Sequence, residues 1–438
     1  PISDAPSHIM LDYTEIRVKG ATLSNFGGTA SGYESIMDMF TKIHRVIQEG
    51  LFSSKPVNGK LRPIHCLDIC NLIGQNVVVG GVRRTAEIAI IDPHDEECVH
   101  AKDNIQPGME HRYMSNNSIF QEERPSREKI HELFNSIRTS GEPGIINVAE
   151  AKRRRADFAG VNPCCEIILP PNAVCNLTTV NMVAFADKQG NVDWDSLEEA
   201  FVLSARAGYR MTCVDLELEG WNVAHHRDRL TGCSMTGWQD FIAKMSNDTF
   251  VRAGGKAGIL KWLRNVIHEA GEDIASELKT PVPLLMTALK PEGSLSLVAN
   301  GVSPGVHWQH SPYFIRRIRV NAHDPLALTA KELGWQIHPE VGQDMETATT
   351  LVIDFPVHSP SEVTKADIPA VEQLKEYILF QKFYTDMNTS NTITVKPDEW
   401  EEVEDFVYNH WDDMLGGTFL ELNSTYYPLM PYEECTKE

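Results

Sequence analysis

Nowhere in this sequence do about 18 apolar residues follow one another, as a membrane-spanning helix requires, and no charged stretch running into an apolar one marks a secretory leader. These absences predict a soluble, cytoplasmic protein with no membrane partner. Cysteine is scarce and odd in number, nine at irregular spacing in 438 residues, which is no disulfide framework. The thiols are expected to rest reduced, so that a disulfide formed here would be a catalytic one. Positive charge is short as well: 40 Lys and Arg against 61 Asp and Glu leave a formal net charge of −21. That balance excludes a protein that coats nucleic acid, whose sequence-independent affinity comes from basic side chains neutralising phosphates. Local clusters at Arg83-Arg84, Lys152 to Arg155 and Arg316-Arg317 leave room for a small anionic ligand, although each reads first as a solvated face. Linkers rich in Pro, Gly or Ser, low-complexity tracts and fixed-period repeats are also missing, so the chain reads as one continuous domain.

What is present suffices for a large core, since hydrophobic residues make up 42% of the chain. Ser31-Gly32-Tyr33-Glu34 has the form of a capping box, and Ile36, Phe40, Ile43 and Ile47 follow at helical spacing until Gly50, predicting an amphipathic helix. Pro63 suits a first helical turn, and Ile64 to Val79 reads as a mostly buried helix. Its Cys66 and Cys70 stand four residues apart, but no second Cys or His pair completes a ligand set; they are expected in the core, and no metal is expected. Ala86 to Ile91, Gly144 to Asn147 and Leu284 to Leu289 are β-like runs. Between them lie helical patterns, notably Asp195 to Leu218 with Leu197, Phe201 and Met211 on its apolar side. Such alternation predicts an α/β fold with parallel strands.

Against this thrift, three of the nine cysteines fall between positions 164 and 175. Pro163, Pro170 and Pro171 forbid a continuous helix, which places Cys164-Cys165-Glu166 on a constrained loop. From Ala173 the β-like character resumes, so Cys175 lies on the element the loop feeds, where a thiol on the stem can face one at the tip. An isolated Cys is usually a small buried hydrophobe; three so close, beside a carboxylate, read as chemistry. Glu166, two residues from Cys164, raises a thiol's pKa, which disfavours a thiolate nucleophile and suits a neutral thiol that gives up a hydrogen atom beside a separate acid/base. Further on, Lys290-Pro291-Glu292-Gly293-Ser294-Leu295-Ser296 follows a β-like run as tight loop and helix start, where free N–H groups and a helix dipole attract an anion. Alone, such a segment is more often an ordinary capping turn.

Asn162-Pro163-Cys164-Cys165-Glu166 resembles the Asn-x-Cys-x-Glu finger-loop motif of ribonucleotide reductases, in the Asn-Pro-Cys form of the adenosylcobalamin-dependent (class II) branch. Phe26 to Gly32, Val82 to Glu87, Ser115 to Ser118, Gly141 to Ile145 and Tyr427 to Glu434 agree with the same family in the same order, with a likeness to its monomeric ribonucleoside-triphosphate reductases. The resemblance implies a ten-stranded α/β barrel of two five-stranded halves around an internal finger loop. Residues 1–155 would supply part of the first half, its first strands missing, 156–175 the finger with the radical cysteine, and 176–438 the second half and C-terminal segment. It implies that Cys164 becomes the thiyl radical that removes the ribose 3′ hydrogen, that Glu166 is the base on the 3′-hydroxyl, and that Asn162 orients substrate hydroxyls. Cys175 would be one of two cysteines that reduce the ribose and end as a disulfide. Pro291, Glu292, Gly293, Ser294, Leu295 and Ser296 would form the substrate-phosphate loop. Adenosylcobalamin would be the cofactor, ribonucleoside tri- or diphosphates the substrates, and thioredoxin or a similar protein the reductant, for DNA precursor synthesis.

The sequence also departs from that family. Cys165 stands where relatives carry a small or aliphatic residue. The family's partner for Cys175 lies upstream, where this chain has no cysteine before Cys66, and the family's Cys-x-x-Cys tail is represented by Cys435 alone. Two further readings follow: a non-catalytic or split-enzyme fragment completed by a complementary N-terminal chain, or a class I large subunit relaying a radical through a pair such as Tyr426-Tyr427. A glycyl-radical enzyme is disfavoured, because Gly416-Gly417 lacks Arg-Val-x-Gly-Tyr-like flanks.

Overall fold

The computed structural model describes residues 10–21, 23, 30–79, 85–322, 324–340, 344–346, 348, 350–422 and 429–437. The Arg83-Arg84 cluster, Tyr426-Tyr427, much of the stretches Phe26 to Gly32 and Val82 to Glu87, and the first two residues of Tyr427 to Glu434 lie outside the described residues. Two compact units emerge where composition predicts one domain: residues 1–86, 106–114 and 317–355 form the first, and residues 87–105, 115–316 and 356–438 the second. The division arises from segments that return to a unit already begun, not from a linker, so no change of composition marks it.

In the first unit the helix Glu34–Glu49 stops at Gly50, whose φ of 67° is left-handed and whose N–H donates to Val46 O. No capping box opens it, because Tyr33 rather than Ser31 occupies the cap position. The helix Pro63–Val78 buries Ile64, Leu67 and Leu72 together with Asp68, which pairs with His111 Nε2 at 2.9 Å and Arg112 Nε at 2.7 Å. Cys66 and Cys70 are exposed rather than in the core: their spacing sets both on the face that the buried residues leave out.

The second unit is built on parallel pairing. Glu87–Ile91 (β1) runs parallel to Ser115–Gln121 (β2), and β2 to Gly144–Asn147 (β3). Strand β3 pairs antiparallel with Gly416–Glu421, which lies parallel to Thr392–Val395. Single bridges carry the array on: Thr389 with Leu289, then Thr287 with Cys233, all parallel. After the short hairpin Gly160–Val161 (β4) and Ile168–Leu169 (β5), Leu177–Asn181 (β6) runs parallel to Gly232–Thr236 (β7), the strand that carries Cys233. Apart from the antiparallel β4–β5 hairpin, these strand pairs are parallel except at the junction between β3 and Gly416–Glu421. Leu284 to Leu289 joins this array through those bridges and scattered backbone hydrogen bonds, such as Thr231 N to Leu285 O, not as the regular strand its composition predicts.

Helices cover the array. Asp193 accepts from Ser196 N at 3.1 Å and so caps Trp194–Met211, whose Leu197, Phe201, Ala205 and Tyr209 recur every four residues and are buried. Leu197, Phe201 and Ala205 face the same core as Leu260, Leu263 and Ile267 of Gly255–Leu278, and Tyr209 packs farther along that helix with Ile274 and Ala275. The first helix ends at Met211, short of Leu218, because Thr212 donates to Tyr209 O with both its N–H and its hydroxyl; Met211 is left partly exposed. A second core gathers Ile146, Val161, Ile167, Ile168, Leu285, Ala288, Met387 and Leu415, and Cys165 and Cys175 pack against it. The stem of the β4–β5 hairpin is therefore rooted among the strands.

Candidate active site

The loop between β4 and β5 is a turn tied by its own backbone. Asn162 N donates to Ile167 O at 3.2 Å, Cys165 N to Asn162 O at 2.8 Å, and Ile167 N to Asn162 Oδ1 at 2.9 Å. Cys165 takes a φ of 64°, a left-handed conformation that costs a non-glycine residue about 1–2 kcal/mol. The kink separates two adjacent thiols: Cys164 is exposed, whereas Cys165 points into the core against Gly416. A Cβ on Gly416 would stand 3.0 Å from the Cys165 sulfur and 3.2 Å from Asn388 Nδ2, so a larger residue at this strand position requires both side chains to give way.

Neighbouring elements clamp the loop from outside. Asn116 of β2 donates to Pro163 O at 2.7 Å. Asn388 donates from its backbone to Glu166 O at 3.1 Å and from its amide to Cys165 O at 2.8 Å. Tyr377 holds Asn388 in turn, donating to Asn388 Oδ1 at 2.9 Å while accepting from Leu415 N and Gly416 N. Sequence reasoning missed Asn388 and Tyr377, which reach the loop only through the fold.

Cys164, Glu166 and Cys175 come within electrostatic reach of one another, together with Lys290 and Glu292. Burial pushes the Glu166 carboxyl up; the neighbouring Asn162 side chain and Lys290 oppose the rise, and Glu292 adds to it. Although Cys164 keeps access to solvent, desolvation by surrounding protein, then the Glu166 charge, raises its thiol to about 11. Burial and Glu166 raise Cys165 and Cys175 to about 12. All three sulfurs hold their protons at neutral pH, an arrangement suited to donating hydrogen rather than to nucleophilic attack. Among the described residues, no three His, Cys, Asp or Glu side chains are grouped to hold a metal ion.

The segment 291–296 places Gly293, Ser294 and Leu295 at the surface, and their N–H groups meet no acceptor among the described residues. The helix that follows, Leu295–Val298, is one turn long. It lends little dipole, so an anion here would rest on discrete N–H donors instead of the helix field expected from the sequence. Ser296 is buried, with its N–H on Glu292 O at 3.2 Å. Glu292 itself turns inward at a φ of 57° and accepts from Thr179 Oγ1 at 2.6 Å and Ser234 Oγ at 2.9 Å.

With this geometry in hand, known proteins supply a comparison. The family model for the ribonucleotide reductase barrel domain matches residues 76–248, and that for the insertion domain of B12-dependent ribonucleotide reductase matches residues 2–47. The adenosylcobalamin-dependent ribonucleoside-triphosphate reductase of Levilactobacillus brevis is 30% identical over 92% of this chain and 56% of its own length. The protein of the same name from Lactobacillus leichmannii is 30% identical over 92% and 57%. A crystal structure of a B12-dependent (class II) ribonucleotide reductase superposes with a TM-score of 0.78 at 26% identity, over 96% of this chain and 61% of the other. The class Id ribonucleotide reductase alpha subunit of Actinobacillus ureae shares the fold alone, with a TM-score of 0.56 at 15% identity, over 89% and 82%. This chain thus spans a little over half the length of the curated relatives it matches.

Proposed function

The chain belongs to the B12-dependent ribonucleotide reductases and carries their α/β barrel fold, and from that premise we propose that it reduces ribonucleotides to 2′-deoxyribonucleotides by thiyl-radical chemistry. The observation that carries this reading is the exposed, protonated thiol of Cys164 at the tip of a clamped loop, beside the buried carboxyl of Glu166 and the thiol of Cys175. Ribonucleoside triphosphates are the favoured substrates, because the relatives reported above are named for them.

Cys164 also fits the reacting end of the cofactor, since an accessible S–H is what a carbon radical requires. Adenosylcobalamin, when bound, supplies that one-electron chemistry by homolysis of its cobalt–carbon bond. The remaining work falls to the chain. Cys164, once its hydrogen is lost, takes the ribose 3′ hydrogen, and the clamp through Asn116 and Asn388 holds the sulfur in place for that transfer. Glu166 accepts the 3′-hydroxyl proton, a role that burial favours by bringing a carboxyl's pKa toward neutrality. Asn162, its Oδ1 fixed by the N–H of Ile167, presents its side-chain N–H groups to the substrate hydroxyls. Cys175 and a cysteine that the family places upstream, in a complementary N-terminal segment, give up two hydrogens and close a disulfide, the 2′-hydroxyl leaves as water, and Cys164 returns its hydrogen to the 3′ carbon. Thioredoxin or a similar dithiol protein restores the thiols by exchange. The free N–H groups of Gly293, Ser294 and Leu295 receive the substrate phosphates. In this scheme residues 1–155 contribute part of the first half-barrel, 156–175 the finger, and 176–438 the second half-barrel and C-terminal segment.

The test is an assay of deoxynucleotide formation with adenosylcobalamin, a ribonucleoside triphosphate and a dithiol, with and without an upstream segment that carries a suitably placed cysteine. Reduction that requires Cys164 and is strengthened by that segment supports the reading. Absence of reduction and of ribonucleotide binding under both conditions overturns it.

A further inference from the structure

Two carboxylate oxygens of the candidate active site are buried with no hydrogen-bond partner, Oε2 of Glu166 and Oε2 of Glu292. A buried acceptor left unsatisfied is costly and rare in native proteins, so two of them in one site mark the place of donors that arrive with a ligand. The aim of Glu292 is fixed. Its side chain is wholly covered, and Oε1 is taken by the hydroxyls of Thr179 on β6 and Ser234 on β7. Ser234 is itself held by Lys290 N at 3.0 Å. Lys290 Nζ stands 3.6 Å from Oε2, near enough to offset charge but too far to satisfy the acceptor.

Position alone would make Glu292 part of a phosphate loop. A covered carboxylate repels phosphate, however, and what its free oxygen accepts is an O–H. We propose that Glu292 accepts the 2′-hydroxyl of the bound ribose while Glu166 accepts the 3′-hydroxyl, the two carboxylates together recognising the vicinal diol. This deepens the ribonucleotide reading of the site and rests on it. It makes the site tell substrate from product: when the 2′-hydroxyl is gone, Glu292 is left unpaired again, and the deoxynucleotide is held less tightly.

The test is equilibrium binding of a ribonucleoside triphosphate, its 2′-deoxy form and its 3′-deoxy form to the full chain, by calorimetry, with folding checked by circular dichroism. Glu292→Gln keeps an oxygen for Thr179 and Ser234 but puts an N–H donor where Oε2 stood. The wild type is expected to bind the ribonucleotide at least about tenfold more tightly than either deoxy form, as suits hydrogen bonds to charged acceptors. Glu292→Gln should bring the ribo and 2′-deoxy forms within about twofold while keeping the 3′-deoxy penalty, and Glu166→Gln should do the reverse. Thr179→Val, which loosens the aim of Glu292 without touching its charge, should shrink the 2′ penalty and leave the 3′ one, and it decides the matter if Glu292→Gln does not fold. A 2′ penalty that survives Glu292→Gln, or an equal loss for all three ligands, overturns the assignment. If the folded wild type binds none of the three, with or without the upstream segment, the ribonucleotide reading itself falls, and the assignment with it.

Discussion

At Cys164 what matters is the proton. A thiol raised to about 11 by desolvation and by the Glu166 charge is a poor nucleophile at neutral pH and a competent hydrogen donor. Alkylation by iodoacetamide, followed residue by residue by mass spectrometry, should therefore be slow at neutral pH for Cys164, Cys165 and Cys175. Cys164 should react first as pH rises, being the exposed one and the least raised. Glu166→Gln should quicken Cys164 by up to about tenfold, because removing a nearby negative charge lowers the thiol's pKa; rapid alkylation at neutral pH in the wild type would refute the assignment. This pairing was legible in the sequence, since two residues on one short loop stay near each other whatever the fold. The role of Glu292 was not. Its neighbours Thr179 and Ser234 stand 113 and 58 positions away, and only tertiary structure turns a loop glutamate inward.

The finger hairpin depends on contacts that cross long stretches of chain. Tyr377→Phe would strand the buried N–H groups of Leu415 and Gly416 and release Asn388 from its partner. We expect a loss of about 1–3 kcal/mol, seen as a fall in melting temperature of a few degrees, with turnover in the proposed reduction lowered more than substrate affinity. Gly416→Ala should act more sharply, forcing Cys165 and Asn388 away from a new methyl group; thermal stability and activity equal to wild type would contradict the clamp. Periodicity foretold the helices Glu34–Glu49 and Trp194–Met211 because each shows a face repeated every three or four residues. It misplaced Cys66 and Cys70, since a helix that is apolar over much of its surface does not announce which stripe is covered. Leu284 to Leu289 looked like a strand by composition, yet it meets its neighbours through isolated bridges.

Across the molecule, the second unit is held by a buried charge as well as by its cores. Burial works to raise the Asp386 carboxyl, but His268, Arg264 and the N–H of Met286 overcome it and hold the group well below the usual carboxylate range. A carboxyl depressed in the folded state stabilises above its unfolded pKa of about 3.9 and loses that contribution as pH falls toward the folded value. Asp386→Asn should therefore melt earlier than wild type at neutral pH in calorimetry, and the gap should narrow below about pH 4; a gap independent of pH would show that the charge is not the cause. Residue pattern alone read the barrel as an alternation of helices and strands, and the barrel itself came from the family resemblance, because the antiparallel junction between β3 and Gly416–Glu421 joins segments that no local pattern connects. The central claim, that Cys164 is the hydrogen-donating cysteine, is most directly tested by hydrogen exchange between water and the 5′ carbon of adenosylcobalamin, with the upstream segment supplied. Exchange should occur in wild type and in Cys165→Ser and vanish in Cys164→Ser; exchange that survives Cys164→Ser and vanishes in Cys165→Ser would contradict the account.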